Sequence, residues 1–520
     1  MNILDELEKR PFAFFIGLLI VSLMIKSVLI YQADIINRDG TYFIANAREL
    51  FQGNIVASFY TNPMIGFSFV FGLVQLVVHD WFLAGKILSC LSLLLATIPL
   101  YFIANDLFGR KPAFFAALVF TIAPSVNERC TTIIRDPLFL LLFTLSLWLV
   151  LYAFRKSSYG FSLLAGLLCC LSVLVRSEGV VLFLCIMFFL TGCAIFISDN
   201  RHFYFKCLAA FCFLPFCGLI FIIVLVAIGE IPQEHVHVFF KKYLAYIQRD
   251  HLKIYMSIYS HLKGVEKSFP GGQFPNDFFE YARYNIYLVY LIGMIQTFVK
   301  DLFPLFVVPL IYGLNLKKQW NRKIVLFLMV LCSFLLMDYY YQIVRNFIAS
   351  RYMFVTIVLS FILVGYGLDL MTAPTRSSRF RKVVVAILIM LCVTLPPYMV
   401  LRNSSSEKQE IKMAGVWLTE YRDKSATKML LNDNRIAYHA GLFNGEYDLF
   451  NKKQLKQLDK LEQHEQLEQL EKIAFDKGRK IVVVYLDNQQ VGNSQHFKEY
   501  ALIKSFPGQK KTVMIYERKI

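Results

Sequence analysis

The sequence predicts a polytopic α-helical membrane protein that ends in a soluble α/β domain. Three observations carry this reading. Of its 520 residues, 57% are hydrophobic and only 18% charged, where soluble proteins carry about 25% charged residues. The apolar residues come in blocks, such as 11–31, 82–104, 179–198 and 207–228, and roughly 20 apolar residues span a bilayer as a helix. After Leu401 the pattern changes to short β-rich runs, "ATKMLLND", "KIVVVYLDN" and "TVMIYERK", which read as buried strands.

Basic loops orient the spans. The net charge is +17, and the positive-inside bias accounts for it without a nucleic-acid partner. "NLKKQWNRK" at 315–323 and "TAPTRSSRFRK" at 372–382 are the strongest cytoplasmic loops, with 110–111, 155–156 and 201–206 weaker. Placing them inside gives about eleven spans, a cytoplasmic N-terminus and an extracytoplasmic C-terminus. The spans are expected near 11–31, 82–104, 113–126, 137–154, 161–175, 179–198, 207–228, 301–316, 324–341, 352–371 and 383–401. The first reads as an uncleaved anchor, since no small-residue cleavage site follows it. The stretch 63–78 is short and reads as an interfacial or re-entrant helix. So does 285–300, where Lys300 and Asp301 interrupt an apolar run. The organisation is then a membrane domain over 1–401, with outer-face loops 32–80 and 229–300, and a soluble domain over 402–520. Within the tail, 452–476 reads as a charged helix with a leucine stripe from Leu455 to Leu470. All of the eleven cysteines except Cys130 sit in apolar runs, so no disulfide or zinc framework is expected.

Charged residues gather at one side of this threading. Arg38 and Asp39 follow the first span. Lys86 lies near the outer end of the second. Glu128, Arg129, Arg135 and Asp136 flank spans three and four. Arg176 and Glu178 form the tip of a hairpin, and Arg345 and Arg351 precede span ten. Each alone is compatible with an interfacial residue snorkelling to water. Together, Arg forks and Lys point charges can hold a phosphate, and a nearby carboxylate can take a proton from an attacking hydroxyl or amine. A lipid-tailed phosphate substrate fits such a face. Lys26 is the clearest charge inside a span and is expected to snorkel outward.

These motifs resemble, in order and spacing, the membrane-embedded GT-C glycosyltransferases, specifically the group of protein O-mannosyltransferases and the lipid A aminoarabinose transferase (glycosyltransferase family 39-like). Asp39, Tyr42 and "ANARELFQGN" resemble the first-loop motif. "NPMIGFSFVFGLVQLVV" resembles the outer-face helix that follows. "LAGKILSCLSLLLATIPLYFIANDLFGRKPAFFAALVFTIAP" resembles spans two and three with their "LFG+" turn. "RDPLFLLLFTLSLWLVLYA", "GLLCCLSVLVRSEGVVLF" and "SRYMFVTIVLSFILVGYGL" resemble the fourth span, the Arg-x-Glu-Gly hairpin and the late Arg-Tyr segment. "NDNRIAYHAGLFNG" and "ALIKSFPGQKKTVMIYER" resemble the outer domain of bacterial members.

The resemblance implies transfer of a sugar from a polyprenyl-phosphate-linked donor to an extracytoplasmic lipid, glycan or protein acceptor, with inversion. It implies a multi-pass protein of the cell inner (plasma) membrane. Asp39 matches the family's proposed base. Lys86 and Arg351 match donor-phosphate positions, and Arg176 is phosphate-proximal or structural. Asp136, Glu178, Arg38 and Tyr42 are expected to support the acceptor or the site. One departure is Gly40, where many members carry a second acid. It removes the paired carboxylates that would favour a metal, so no cofactor is evident, although a divalent metal is not excluded. His235 and His237 sit at i and i+2, off a common helix face. Three alternatives stay open: an O-antigen ligase or polymerase using diphosphate-linked donors, a lipid-linked sugar transporter or flippase, for which mid-membrane charges and broken helices would be expected, and a non-catalytic assembly partner using the tail as a binding module.

Overall fold

A computed structural model describes residues 10–55, 58, 64–197, 200–229, 251–268, 276–316, 320–345, 350–372, 379–402, 408–422, 429–442, 447–449, 472–474, 479–488 and 499–519. All of the helix expected over 452–476 except residues 472–474, and the pair His235 and His237, lie outside these residues. The chain packs as two units. One comprises Met1–Ile30 and Asn46–Leu401, the other Tyr31–Ala45 and Arg402–Ile520.

The first half of the helical unit contains α1 (Pro11–Gln32), most of it before the unit boundary, then α2 (Arg38–Phe51), which the boundary divides. There follow α3 (Ile65–Val78), α4 (Trp81–Phe108), α5 (Arg110–Ile122), α6 (Pro124–Cys130), α7 (Asp136–Lys156), α8 (Tyr159–Val175), α9 (Gly179–Phe196) and α10 (Arg201–Ala227). The second half contains α11 (His251–Ser268), α12 (Asn276–Tyr284), α13 (Ile286–Leu302), α14 (Val307–Gly313), α15 (Arg322–Arg345), α16 (Phe354–Thr372) and α17 (Arg379–Arg402). Seven helices among the described residues are long and apolar enough to cross a membrane: Phe12–Gln32, Trp81–Phe108, Asp136–Lys156, Gly179–Phe196, Arg201–Ile220, Arg322–Arg345 and Phe354–Thr372. The other stretches expected to span also carry helices, but shorter or broken ones: α5, α8, the α13–α14 pair and α17. The protein is a multi-span membrane protein.

Local chemistry sets the ends. The Asp80 carboxylate caps α4 by accepting from the Leu83 amide at 2.6 Å, satisfying an otherwise orphan donor. Gly109 turns α4 into α5 with φ +93°, a conformation that costs a Cβ-bearing residue energy. Helix α5 stops at Ala123 because Pro124 follows, and proline is at home in the first turn of the next helix, α6. Lys300 and Asp301 do not interrupt the chain as expected. Helix α13 runs through both, and the break comes at Phe303, whose φ is +79°, just before Pro304. There α13 and the following Pro304–Gly313 segment meet at 98°. A bulky residue at positive φ is strained backbone that the surroundings must hold.

Close helix crossings hold the unit together. A Cβ on Gly367 of α16 would run into the Pro309 carbonyl of α14, and one on Gly313 into the Leu363 carbonyl. Small residues let membrane helices approach backbone to backbone, where packing rather than the hydrophobic effect drives association. Helix α16 is buried nearly throughout.

The second unit has a five-stranded sheet of β1 (Met429–Leu431), β2 (Tyr447–Leu449), β3 (Ile481–Asp487), β4 (Tyr500–Pro507) and β5 (Lys511–Arg518), ordered β2-β1-β3-β5-β4. β1 is parallel to β2 and β3, while β5 is antiparallel to β3 and β4. Alternate residues face opposite sides, as the strand period requires. Met429, Leu431, Ile481, Val483, Val513 and Ile515 pack under α18 (Gln409–Arg422) and α19 (Asn434–His439). Leu430, Val482, Val484, Met514 and Tyr516 face the other way with Ala474. The sequence reading located β1, β3 and β5 but not β2, β4 or α18.

Candidate functional site

In the helical unit, charge converges where the ends of α7, α8, α9 and α16 meet. Arg176 follows the last residue of α8, and Gly179 opens α9, so the expected hairpin tip forms. Arg176 is only 4% exposed. One Nη donates to Asp136 and the other to Glu178 at 2.5 Å. Asp136 lies in the first turn of α7, where the helix dipole also favours a carboxylate. Burial alone would raise the Glu178 carboxyl. The Arg176 charge and hydrogen bond, with Arg135, reverse this and bring it down to about 2. The Glu178 carboxylate is therefore held in its charged form, and both Nη groups of Arg176 are engaged by carboxylates.

Aromatic rings frame the triad. The Arg176 guanidinium lies 5.7 Å from the Phe139 ring and 5.9 Å from the Tyr352 ring. Tyr352 stacks on Tyr341 at 5.4 Å. Arg351 is exposed, with Nη2 donating to the Tyr352 hydroxyl at 3.3 Å. The segment leading into α16 is pinned further by Arg129. That side chain is buried, donates to the Ser350 carbonyl at 3.3 Å and lies 4.1 Å from the Phe354 ring. Asp136, Arg176 and Glu178 are thus brought together, and Tyr352 joins Arg351 to them.

Lys86 is also buried. It donates to the Ile30 carbonyl near the end of α1 at 3.0 Å and sits 4.0 Å over the Phe82 ring. Lys26 does not snorkel. It is fully buried, donating to Ser22 at 2.9 Å and to Asn127 at 3.4 Å. The Asn127 amide in turn donates to the Thr121 and Ala123 carbonyls freed by the α5–α6 break. Asp338, which sequence reasoning missed, is buried in α15 and accepts from Thr356 at 2.6 Å. A lone Asp beside the tyrosine run "DYYY" was the available signal.

In the second unit, Arg38, Asp39 and Tyr42 lie on the first turns of α2 rather than in an irregular loop. Asp39 is half-buried and Tyr42 is 39% exposed, its ring edge-on to Phe43. Arg38 donates to Asp433 Oδ2 through Nε at 3.2 Å and Nη2 at 2.9 Å. Asp433 is buried and also accepts from the Arg435 amide, Nε and Nη2. Burial would raise its carboxyl; Arg435, and to a lesser degree Arg38, hold it below the usual range. Among the described residues, no three His, Cys, Asp or Glu side chains lie together in a way that could hold a metal ion.

Residues 62–222 match the family described as dolichyl-phosphate-mannose-protein mannosyltransferase. No curated protein matches the chain in sequence. Among solved structures, ArnT from Cupriavidus metallidurans in the apo state is similar, with TM-score 0.55 and 11% identity over 97% of this chain and 98% of that one. The same protein bound to undecaprenyl phosphate gives 0.53 and 12% over the same shares. The archaeal oligosaccharyltransferase AglB from Archaeoglobus fulgidus, in complex with an inhibitory peptide and a dolichol-phosphate, gives 0.53 and 11% over 91% of this chain and 69% of that one. Identity this low speaks to fold. The chain therefore has the fold of the GT-C glycosyltransferases, and its residues 62–222 carry the sequence signature of the dolichyl-phosphate-mannose-protein mannosyltransferases.

Proposed function

We propose that the protein is a glycosyltransferase of the cell inner membrane, transferring a sugar from a polyprenyl-phosphate-linked donor to an extracytoplasmic lipid, glycan or protein acceptor. The observation that carries this reading is the buried Asp136–Arg176–Glu178 triad, built at helix ends inside the stretch that matches the mannosyltransferases. Such a group is costly at the edge of a membrane and defaults to a functional assignment. That ArnT binds undecaprenyl phosphate and AglB a dolichol-phosphate supports a lipid-phosphate donor.

In this reading Asp39 removes the proton from the acceptor hydroxyl or amine. The freed electron pair attacks the anomeric carbon on the face opposite the phosphate. The bond from that carbon to the phosphate oxygen breaks, the configuration inverts, and the polyprenyl phosphate leaves with the electron pair. Arg351, whose guanidinium is exposed, stabilises the charge developing on that phosphate. Arg176 organises Asp136 and Glu178 instead of offering a free cation, and Lys86 adds positive charge while holding the end of α1.

The protein in nanodiscs should release free polyprenyl phosphate from a polyprenyl-phosphate sugar when membrane extract supplies the acceptor. Mass spectrometry of glycolipids and glycoproteins from a deletion strain should show one missing modification. Release only from diphosphate-linked donors would favour a ligase or polymerase. The buried Lys26 and the 98° break at Phe303 are what a transporter of lipid-linked sugars would also contain. Movement of the donor between leaflets without bond cleavage would select that reading.

A further inference from the structure

The segment 31–45 forms one compact unit with the C-terminal domain. Three polar links account for this. The exposed Arg38 reaches the buried Asp433 with two hydrogen bonds. The Asn434 amide donates to the Thr41 hydroxyl, one helical turn further on. Lys412 pairs with Asp34 at 3.1 Å. The links are arranged hierarchically. Asp433 is locked first, since Arg435 takes both of its oxygens and Asp433 itself caps α19. Arg38 then docks on a carboxylate that has no rotamer freedom left. A fixed acceptor loses little entropy when the bond forms, so the link holds more firmly than an ordinary exposed pair.

Asp39 sits between two of these anchors, Arg38 and Thr41, on the same helical turn. We propose that the C-terminal domain is a clamp on the first loop, with Asp433 and Asn434 as positioning residues that set the orientation of Asp39. The functional half of this rests on Asp39 being the base. The structural half does not. The clamp gives the tail a part in the chemical step, separate from any part in choosing the acceptor.

The test uses the full chain in nanodiscs and compares wild type with Arg38→Gln, Asn434→Ala, Arg38→Lys and Asp39→Asn. Asp433→Asn is less informative, because it strips the partner from buried Arg435 and can unfold the tail. Arg38→Gln changes an exposed side chain and leaves Asp433–Arg435 intact. Amide exchange is read across 36–45 and, as an internal control, across β3 and β5. Arg38→Gln should speed exchange in 36–45 by about tenfold, as expected for loss of a charge-assisted bond, with β3 and β5 unchanged. Its kcat should fall while the donor KM stays level, since misplacing a reacting group costs turnover more than binding. Arg38→Lys should restore part of both. Unchanged exchange in 36–45 for both Arg38→Gln and Asn434→Ala overturns the clamp. Faster exchange together with wild-type turnover in Asp39→Asn leaves the clamp standing and removes the base assignment.

Discussion

Arg176 and Asp433 are each the buried centre of an ion cluster, yet their chemistry differs. Arg176 is one cation between two carboxylates, whereas Asp433 is one carboxylate between two cations. Both Nη groups of Arg176 and both oxygens of Asp433 are engaged within their clusters, so the contacts with substrate are assigned to exposed or half-buried neighbours. Arg351→Ala should therefore raise the donor KM with folding intact, since its guanidinium is exposed and loss of a charge-assisted contact costs about 1.5–3 kcal/mol; an unchanged donor KM would mark it as a snorkelling residue. Lys86→Ala should behave differently, because Lys86 also holds the Ile30 carbonyl. It should lower thermal stability along with donor use. Asp39→Asn keeps shape and removes charge. At saturating donor it should cut turnover roughly 10²–10⁴-fold, the range for general base catalysis, and near wild-type turnover would move the role to Asp136 or Glu128. His439 supplies a pH test. Burial first, then Lys412 and Arg435, lower its pKa to about 4. In the unfolded chain it titrates near 6.5, so below that pH the unfolded state takes a proton that the folded state refuses. Stability is then full above about 6.5 and falls as the pH drops toward 4, by up to roughly 3 kcal/mol. Thermal unfolding of His439→Gln should show a shallower loss over that window than wild type; parallel curves would mean that the imidazole is not held neutral.

Helix α16 carries the tightest packing, and the cost of disturbing it can be set against a neutral position. Gly367→Ala places a methyl against the Pro309 carbonyl, a backbone atom that cannot rotate away. Overpacking of that kind costs about 1–3 kcal/mol or more, so yield and melting temperature in detergent should fall. Gly192→Ala in α9 meets nothing within 4 Å and should be neutral or slightly stabilising by helix propensity. Equal behaviour of the two variants would mean that α14 and α16 do not cross closely. The same elements show where sequence reading succeeds and where it stops. Every apolar stretch expected to span carries a helix, because hydropathy and helix period are local properties. β3 and β5 were legible as short runs rich in β-branched residues, and β1 as a short apolar run ended by Asn432 and Asp433. β4, reading "YALIKSFP" with mostly exposed or half-buried side chains, lacks that signal. The break at Phe303 was expected a few residues early, because Lys300 and Asp301 look like interruptions while the actual cause is the backbone before Pro304. At the site, Arg176 and Glu178 were legible as a hairpin motif two residues apart. The Arg38–Asp433 pair was not, since no local pattern links residues 395 apart. Lys26 was noticed but misjudged, because its partner Asn127 is 101 residues away.

At the scale of the whole molecule, the proposal depends on which side of the membrane each helix end occupies. The parity turns on α3. It has 14 residues, about 21 Å at 1.5 Å per residue, against a hydrocarbon core of about 30 Å. A lone helix that short is expected to lie along the interface or to enter and return, whereas α5, one residue shorter, is continued by α6 over 110–130. If it crossed, Arg110 and Lys111 would face outward and every later basic loop would invert, against the positive-inside bias. Reporter fusions should therefore place Arg379 inside, and Asn54 and Lys263 outside. Asn54 precedes α3, so agreement there with Arg110 also reported inside would show that one crossing, α4, separates them. With α5 and α6 together as the next crossing, that result would put the Asp136–Arg176–Glu178 triad and the first-loop Asp39 on one face, as a single transfer reaction requires. Arg379 reported outside would place an odd number of additional crossings before it, and α3 and the bent α13–α14 pair are the two elements that could supply one. Fusions at His79 and Asn315 would then separate those cases. If α3 were the extra crossing, Asp39 and the triad would sit on opposite faces, and the assignment of Asp39 as base for a donor held at Arg351 would fail.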